Sequence, residues 1–140
     1  MKNDDKLPLE GWFNQHLTKT FENVLANAVV IKHADRFRFG VPDFSITMNR
    51  QTGWLETKVS DRWPKIKKMR GIQRLTCQCL HHASDGRCWI VVFDVHRDVR
   101  RTSLVDPRFV TRDLVIEQVI AQYEGWDYLA VADFVREQLR

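Results

Sequence analysis

Apolar residues change their spacing several times along this chain, and each change predicts an element. From Leu9 they recur at every fourth position, through Phe13, Leu17, Phe21 and Leu25, with Trp12 and Val24 widening the stripe. That period belongs to an amphipathic helix, and Pro8 suits a first helical turn, so a helix is expected over residues 8 to 25. Asn23 and Asn27 supply stop signals, and the β-branched run Val29-Val30-Ile31 predicts a strand with Ile31 in the core. His33 to Phe39 reads as a basic and aromatic connection, with Arg36 and Arg38 on either side of Phe37. The period then falls to two: Phe44, Ile46 and Met48 alternate with Ser45 and Thr47. Turn chemistry from Asn49 to Gly53 and a returning run from Trp54 to Val59 make a hairpin the economical reading.

Beyond the hairpin, Ser60 to Pro64 is loop-like, and Ile66, Met69, Ile72 and Leu80 predict a helix over residues 65 to 82, with Gly71 as a point of kinking. Ser84-Asp85-Gly86 ends it, and Trp89 to Val95 reads as a buried strand. His96 to Arg108 is polar and basic, with a short edge strand at Ser103 to Val105. Thr111 or Asp113 caps an expected helix through Leu114, Val115, Val119 and Ile120. Gly125 separates it from a last helix, capped by Asp127 and carrying Leu129, Ala132, Val135 and Leu139 along one face. No internal repeat or low-complexity stretch interrupts this order.

Composition narrows the class. A chain of 140 residues with 44% hydrophobic and 29% charged residues suits a single domain with a real core. Its apolar runs fall far short of the about 20 residues needed to cross a bilayer, so no membrane partner is expected. Met1 to Lys6 is polar and lacks the apolar core of a signal peptide, which makes the cytoplasm the default expectation. Three cysteines, Cys77, Cys79 and Cys88, do not suggest a disulfide framework. Together with His81 and His82 they invite zinc, but positions two apart on a helix face about 200° from each other, so Cys77 and Cys79 cannot share an ion there. Buried thiols and a surface histidine pair are expected instead, with His33 and His96 as structural or surface residues. The net charge of +4 is compatible with a nucleic-acid partner.

The chemistry gathers in the hairpin. Successive strand residues face opposite sides, so Glu56 and Lys58 share one face roughly 7 Å apart while Leu55 and Thr57 share the other. If the segment beginning at Asp43 pairs with that strand, a second carboxylate joins them. Two carboxylates and a lysine at one spot are what a magnesium-dependent phosphodiester hydrolase requires. The bland alternative is a turn aspartate beside an exposed strand face. The segment Arg62 to Arg74, with Arg97, Arg100, Arg101, Arg108 and Arg112, is a candidate phosphate-contacting rim, and Trp63 a candidate stacking residue.

Pro42-Asp43 followed thirteen positions later by Glu56-Thr57-Lys58 resembles the PD-(D/E)XK nuclease superfamily. Gly40-Val41-Pro42-Asp43-Phe44 with Trp54 to Val59 looks most like its VRR-Nuc and phage-encoded, Holliday junction resolvase-like nucleases. The resemblance covers roughly residues 9 to 95 and leaves the last third outside. It implies a restriction-endonuclease-like α/β fold: an αβββαβ core, a mixed β-sheet flanked by helices, and here a C-terminal helical extension over about 111 to 139. It further implies a Mg2+-dependent DNA endonuclease, with Mn2+ as substitute, yielding 5′-phosphate and 3′-hydroxyl products. Asp43, Glu56 and the backbone carbonyl of Thr57 would hold the metal, with Glu10 as an outer ligand. Lys58 would orient or deprotonate the attacking water, and Gln73 would orient the water or a phosphate. DNA is the implied partner, with a homodimer or a phage or repair protein as further candidates and, for a phage-encoded chain, the host cytoplasm as location. A DNA-binding or assembly module that keeps the fold without cutting is the alternative.

Overall fold

The computed structural model describes residues 7 to 33 and 40 to 140. The predicted connection around Arg36, Phe37 and Arg38 therefore lies outside the described residues. Helix α1 spans Glu10–Val24 and buries Phe13, Leu17 and Phe21, as the four-residue period requires. Strand β1 (Val29–Lys32) pairs antiparallel with β2 (Phe44–Met48), which turns back into β3 (Gln51–Ser60). Asn49 and Arg50 alone make that turn, both at positive φ, the conformation that suits the twist of a two-residue hairpin. Gly53, expected in the turn, belongs to β3. A Cβ there would stand 2.7 Å from the Trp89 ring, so only glycine lets the indole lie on the strand.

Helix α2 (Gly71–Ala83) crosses over to β4 (Cys88–His96), which runs parallel to β3. Strand β5 (Val99–Val105) returns antiparallel to β4, and β6 (Ala121–Glu124) pairs with β5, before helix α3 (Tyr128–Gln138) ends the fold. The sheet order is β1-β2-β3-β4-β5-β6. The fold is thus the expected α/β, restriction-endonuclease-like one, with the αβββαβ order carried by α1 through β4 and a mixed sheet between helices. On one face, α1 and α3 pack Phe13, Leu17, Val131 and Val135 against Leu55, Val91 and Phe93. On the other, Cys77 of α2 joins Ile66, Met69, Ile90 and Val92.

Several expectations need correction. Ile31 is half exposed, because β1 is an edge strand and its inward position falls to Val30. The helix expected from Lys65 begins only at Gly71. Residues 61 to 70 are irregular, a tight turn at Trp63-Pro64 closed by the Arg62–Lys65 bridge and then a non-helical run, held by Lys67 N donating to Val59 O and Ile66 N to Leu114 O, both at 2.9 Å. No helix forms over 111 to 120. Pro107–Phe109 is a short 3-10 turn, and the chain then runs extended, bridging Val110 to Ile116 and Val115 to Lys65. Thr111 does accept from the Val115 amide at 3.0 Å, but it closes a turn with Leu114 at positive φ. The expected C-terminal extension is therefore one helix, α3, whose Asp127 cap accepts from Ala130 N at 2.9 Å. Leu129, placed on its buried face by the sequence pattern, is exposed, and Val131 is buried instead.

Candidate active site

Strand pairing brings the carboxylates together. Phe44 lies opposite Leu55, so the register places Asp43 across from Glu56. The Thr57 amide donates to Asp43 Oδ2 at 2.8 Å, which fixes the aspartate against the strand. The segment before it is seated tightly: Gly40 has φ +91°, and a Cβ would stand 3.0 Å from the Ile72 carbonyl oxygen of α2. Glycine there lets Pro42 and Asp43 enter β2 directly beneath α2.

Glu56 is 2% exposed, and among the described residues its Oε2 has no hydrogen-bond partner. Burial pushes its carboxyl well above the ordinary range, and the Asp43 carboxylate adds to that. Lys58 pulls the other way without prevailing. Like charges directly opposite on a sheet repel, so an ionised pair calls for a cation. The orphaned, buried Oε2 is therefore an observation that a divalent ion fits.

Lys58 is equally constrained. Its Nζ stands 3.1 Å from Glu10 Oε1, donates to Gln73 Oε1 at 3.2 Å, and lies 3.8 Å from Glu56 Oε1. Glu10 arrives from the first turn of α1, where burial raises its carboxyl above the usual range against the pull of Lys58. Gln73 has a second task, since the same oxygen accepts from the Arg70 amide at 2.9 Å and caps α2. The structure thus brings Glu10, Asp43, Glu56, Lys58 and Gln73 to one place. Thr57 contributes its amide to Asp43, while its side chain is fully buried and faces away from the charged face. Among the described residues, no three His, Cys, Asp or Glu side chains form a metal cage by themselves. A small hard cation bound here would take one or two carboxylates and complete its shell with backbone oxygen and water.

Two supporting residues went unnoticed in the sequence. Cys77 lies beside Glu56, and the Cys88 thiol and burial push up Cys77's own ionisation and keep it neutral, so it adds no charge to the site. Ser60 ends β3 and donates to Lys65 O at 2.5 Å, which ties the basic segment to the site strand. No pattern marks either one, because both act through neighbours distant in sequence or hidden by the fold. Of the other candidates, His81 proves buried rather than superficial, with Nδ1 3.1 Å from Cys88 O and Nε2 3.4 Å from Asp106. Cys79, by contrast, is exposed. His33 bonds Ser45 Oγ at 2.9 Å and His96 is exposed, as expected. Within the rim, Arg101 is held by buried Asp94 at 2.8 Å and lies over the Trp63 ring, and Arg108 is tied to Asp106. Arg62, Lys65, Lys67, Lys68 and Arg70 are all exposed.

No protein-family model matches this sequence, and no curated protein matches it. Among solved structures, the chain is similar to a Holliday junction resolvase from the archaeal hyperthermophile Archaeoglobus fulgidus, with a TM-score of 0.51 and 15% identity. The likeness covers 87% of this chain and 98% of that one. It therefore reaches beyond residues 9 to 95 into the last third, which the sequence motifs had left outside. At this identity the likeness is one of fold.

Proposed function

We propose that this protein is a metal-dependent nuclease that hydrolyses DNA phosphodiester bonds, selecting branched structures such as junctions or flaps. The observation that supports it most is the pairing of half-buried Asp43 with buried Glu56, whose Oε2 has no partner among the described residues and whose repulsion with Asp43 suits a divalent cation. Asp43, Glu56 and the Thr57 carbonyl would hold magnesium or manganese, with Glu10 as an outer oxygen. When bound, the ion supplies a Lewis acid for the phosphate and a lowered pKa for water.

The chain's own groups do the positioning. Lys58, held between Glu10, Glu56 and Gln73, presents a fixed ammonium beside the carboxylates, where it orients the attacking water and offsets charge developing on the phosphate. Gln73 fixes the height of that ammonium and couples it to the start of α2. In-line attack then gives a 5′-phosphate and a 3′-hydroxyl, the outcome implied by the PD-(D/E)XK resemblance and its VRR-Nuc and phage resolvase-like members. DNA is the proposed partner, met by the exposed basic residues between Arg62 and Arg70, with a homodimer or a phage or repair protein as the assembly in which it works. Among the described residues, no helix is long and apolar enough to cross a membrane.

The test is cleavage of labelled linear, nicked, flap and four-way DNA with magnesium. Asp43→Asn and Lys58→Met are expected to lose at least about a hundredfold in rate while keeping the wild-type circular dichroism. Undiminished cleavage by either purified variant overturns the assignment. Binding of branched DNA without cleavage by the wild-type protein identifies a non-cutting module on this fold.

A further inference from the structure

A cavity of about 450 Å³ opens beside the carboxylate cluster, and Glu10 belongs to both. Its apolar lining comes from Pro8, Leu9, Gly11 and Val59, and Lys67 and Lys68 complete it. Lys68 lies close enough to Glu10 to act on its charge, so the cavity and the site share one electrostatic environment. Leu9 is 80% exposed, a large apolar side chain that the core does not use. Gly11 has no atom within 4 Å of where a Cβ would stand. Glycine inside a helix ordinarily costs about 1 kcal/mol relative to alanine, and here no packing contact requires it.

An apolar wall with ammonium groups beside it suits a nucleoside attached to a phosphodiester, with the base and sugar against Leu9 and Val59 and the phosphates near Lys67 and Lys68. The volume falls within the range of small-ligand sites. A base lodged there cannot remain paired. Building on the nuclease reading of the neighbouring carboxylates, we propose that this cavity is a subsite for one unpaired nucleoside of the cut strand, adjoining the scissile phosphate. The substrate class follows from it: DNA whose strands are already separated at the cut, as at a branch point, flap or gap, in preference to continuous duplex.

The experiment compares binding of a labelled oligothymidylate with that of an equally long abasic phosphodiester strand, in the absence of metal. The probes are titrated into the wild-type protein, Gly11→Leu and Leu9→Ser. Gly11→Leu fills the cavity from a helical position, and leucine is a better helix former than glycine, so the fold is expected to hold. Leu9→Ser removes apolar wall from an exposed position and serves as the second variant. The wild-type protein is expected to prefer the base-bearing strand about tenfold, the effect of withdrawing roughly 60 Å² of base surface from water. Both variants should lose most of that preference while binding the abasic strand as before. Equal affinity of the wild type for the two probes, or a preference that survives in both variants, overturns the subsite. A parallel magnesium cleavage assay separates the two readings. Cleavage with no base preference removes the subsite alone, whereas a preference abolished by Gly11→Leu in a protein that cuts nothing removes the nuclease reading, and with it the scissile phosphate, and leaves the cavity as a nucleoside-binding site only.

Discussion

Glu56 carries the sharpest conflict in the molecule, a carboxyl withdrawn from water, faced by Asp43 across the hairpin and only partly offset by Lys58. Cys77 beneath it is neutral and gives no help. A carboxyl whose folded pKa is raised favours the folded state fully below its unfolded value, and that contribution is lost as pH rises through the folded value. Metal-free protein should therefore lose stability in that window, and Glu56→Gln should not. The glutamine variant is expected to be the more stable of the two at pH above the folded value, with the higher Tm there. The advantage should vanish as pH falls toward 4.5, the unperturbed glutamate value. Magnesium should raise the Tm of the wild type and leave Glu56→Gln nearly unmoved. Thermal melts across pH, with and without the ion, check both statements, and a difference constant in pH would contradict the first. The identities of Asp43, Glu56 and Lys58 were legible from the sequence because strand alternation and hairpin register are local rules. Lys58's engagement with Glu10 and Gln73 follows from how α1 and α2 dock on the sheet, which spacing along the chain does not encode.

Elements place these residues, and the junction of β2 with α2 is the tightest of them. Gly40 sits where a methyl group would meet both Thr76 Oγ1, at 2.8 Å, and the Ile72 carbonyl, at 3.0 Å, and its φ of +91° is unfavourable for any L-residue. Gly40→Ala is expected to destabilise by about 2–4 kcal/mol, from left-handed strain combined with overpacking. Because Asp43 follows three residues later, cleavage should fall together with stability and should not be restored at low temperature, where the variant is fully folded. Urea unfolding with single-turnover rates at two temperatures checks this, and a fully active folded variant would show that α2 does not set the position of Asp43. The helix boundaries show why some elements resisted reading. Lys65 to Arg70 has helical composition, yet its amides pair with Val59 and Leu114, partners that only the assembled sheet supplies. In the same way Val115, Ile116 and Val119 satisfy a helical period as well as an extended one. Their β-branched shape and the cross-chain bridges to Lys65 and Val110 decide for extension.

For the whole molecule, the non-helical basic segment after β3 turns a net charge of only +4 into a directed field. Arg62, Lys65, Lys67 and Lys68 project from residues anchored to the end of β3 by the Ser60 and Val59 bonds, with Asp61 3.9 Å from Lys67. A helix would have spread these side chains around its axis, whereas the turn at Trp63-Pro64 and the bonds to Val59 and Ser60 keep them beside the site strand. Arg101 and Arg108 add little to binding, since Asp94 and Asp106 already hold them. Neutralising about four phosphates predicts a slope near −3.6 for log affinity against log salt on duplex arms, roughly a 150-fold loss between 50 and 200 mM. Exchanging Lys65 and Lys68 for glutamine should reduce that slope by about two and weaken binding to all DNA shapes alike, because phosphate contacts carry no sequence information. Arg108→Gln, at a guanidinium already paired, should leave the slope unchanged. Anisotropy titrations at several salt concentrations with catalytically silent Asp43→Asn protein make the comparison. A slope that stays flat in the wild type, or that falls equally with Arg108→Gln, would place the DNA on a different face of the molecule.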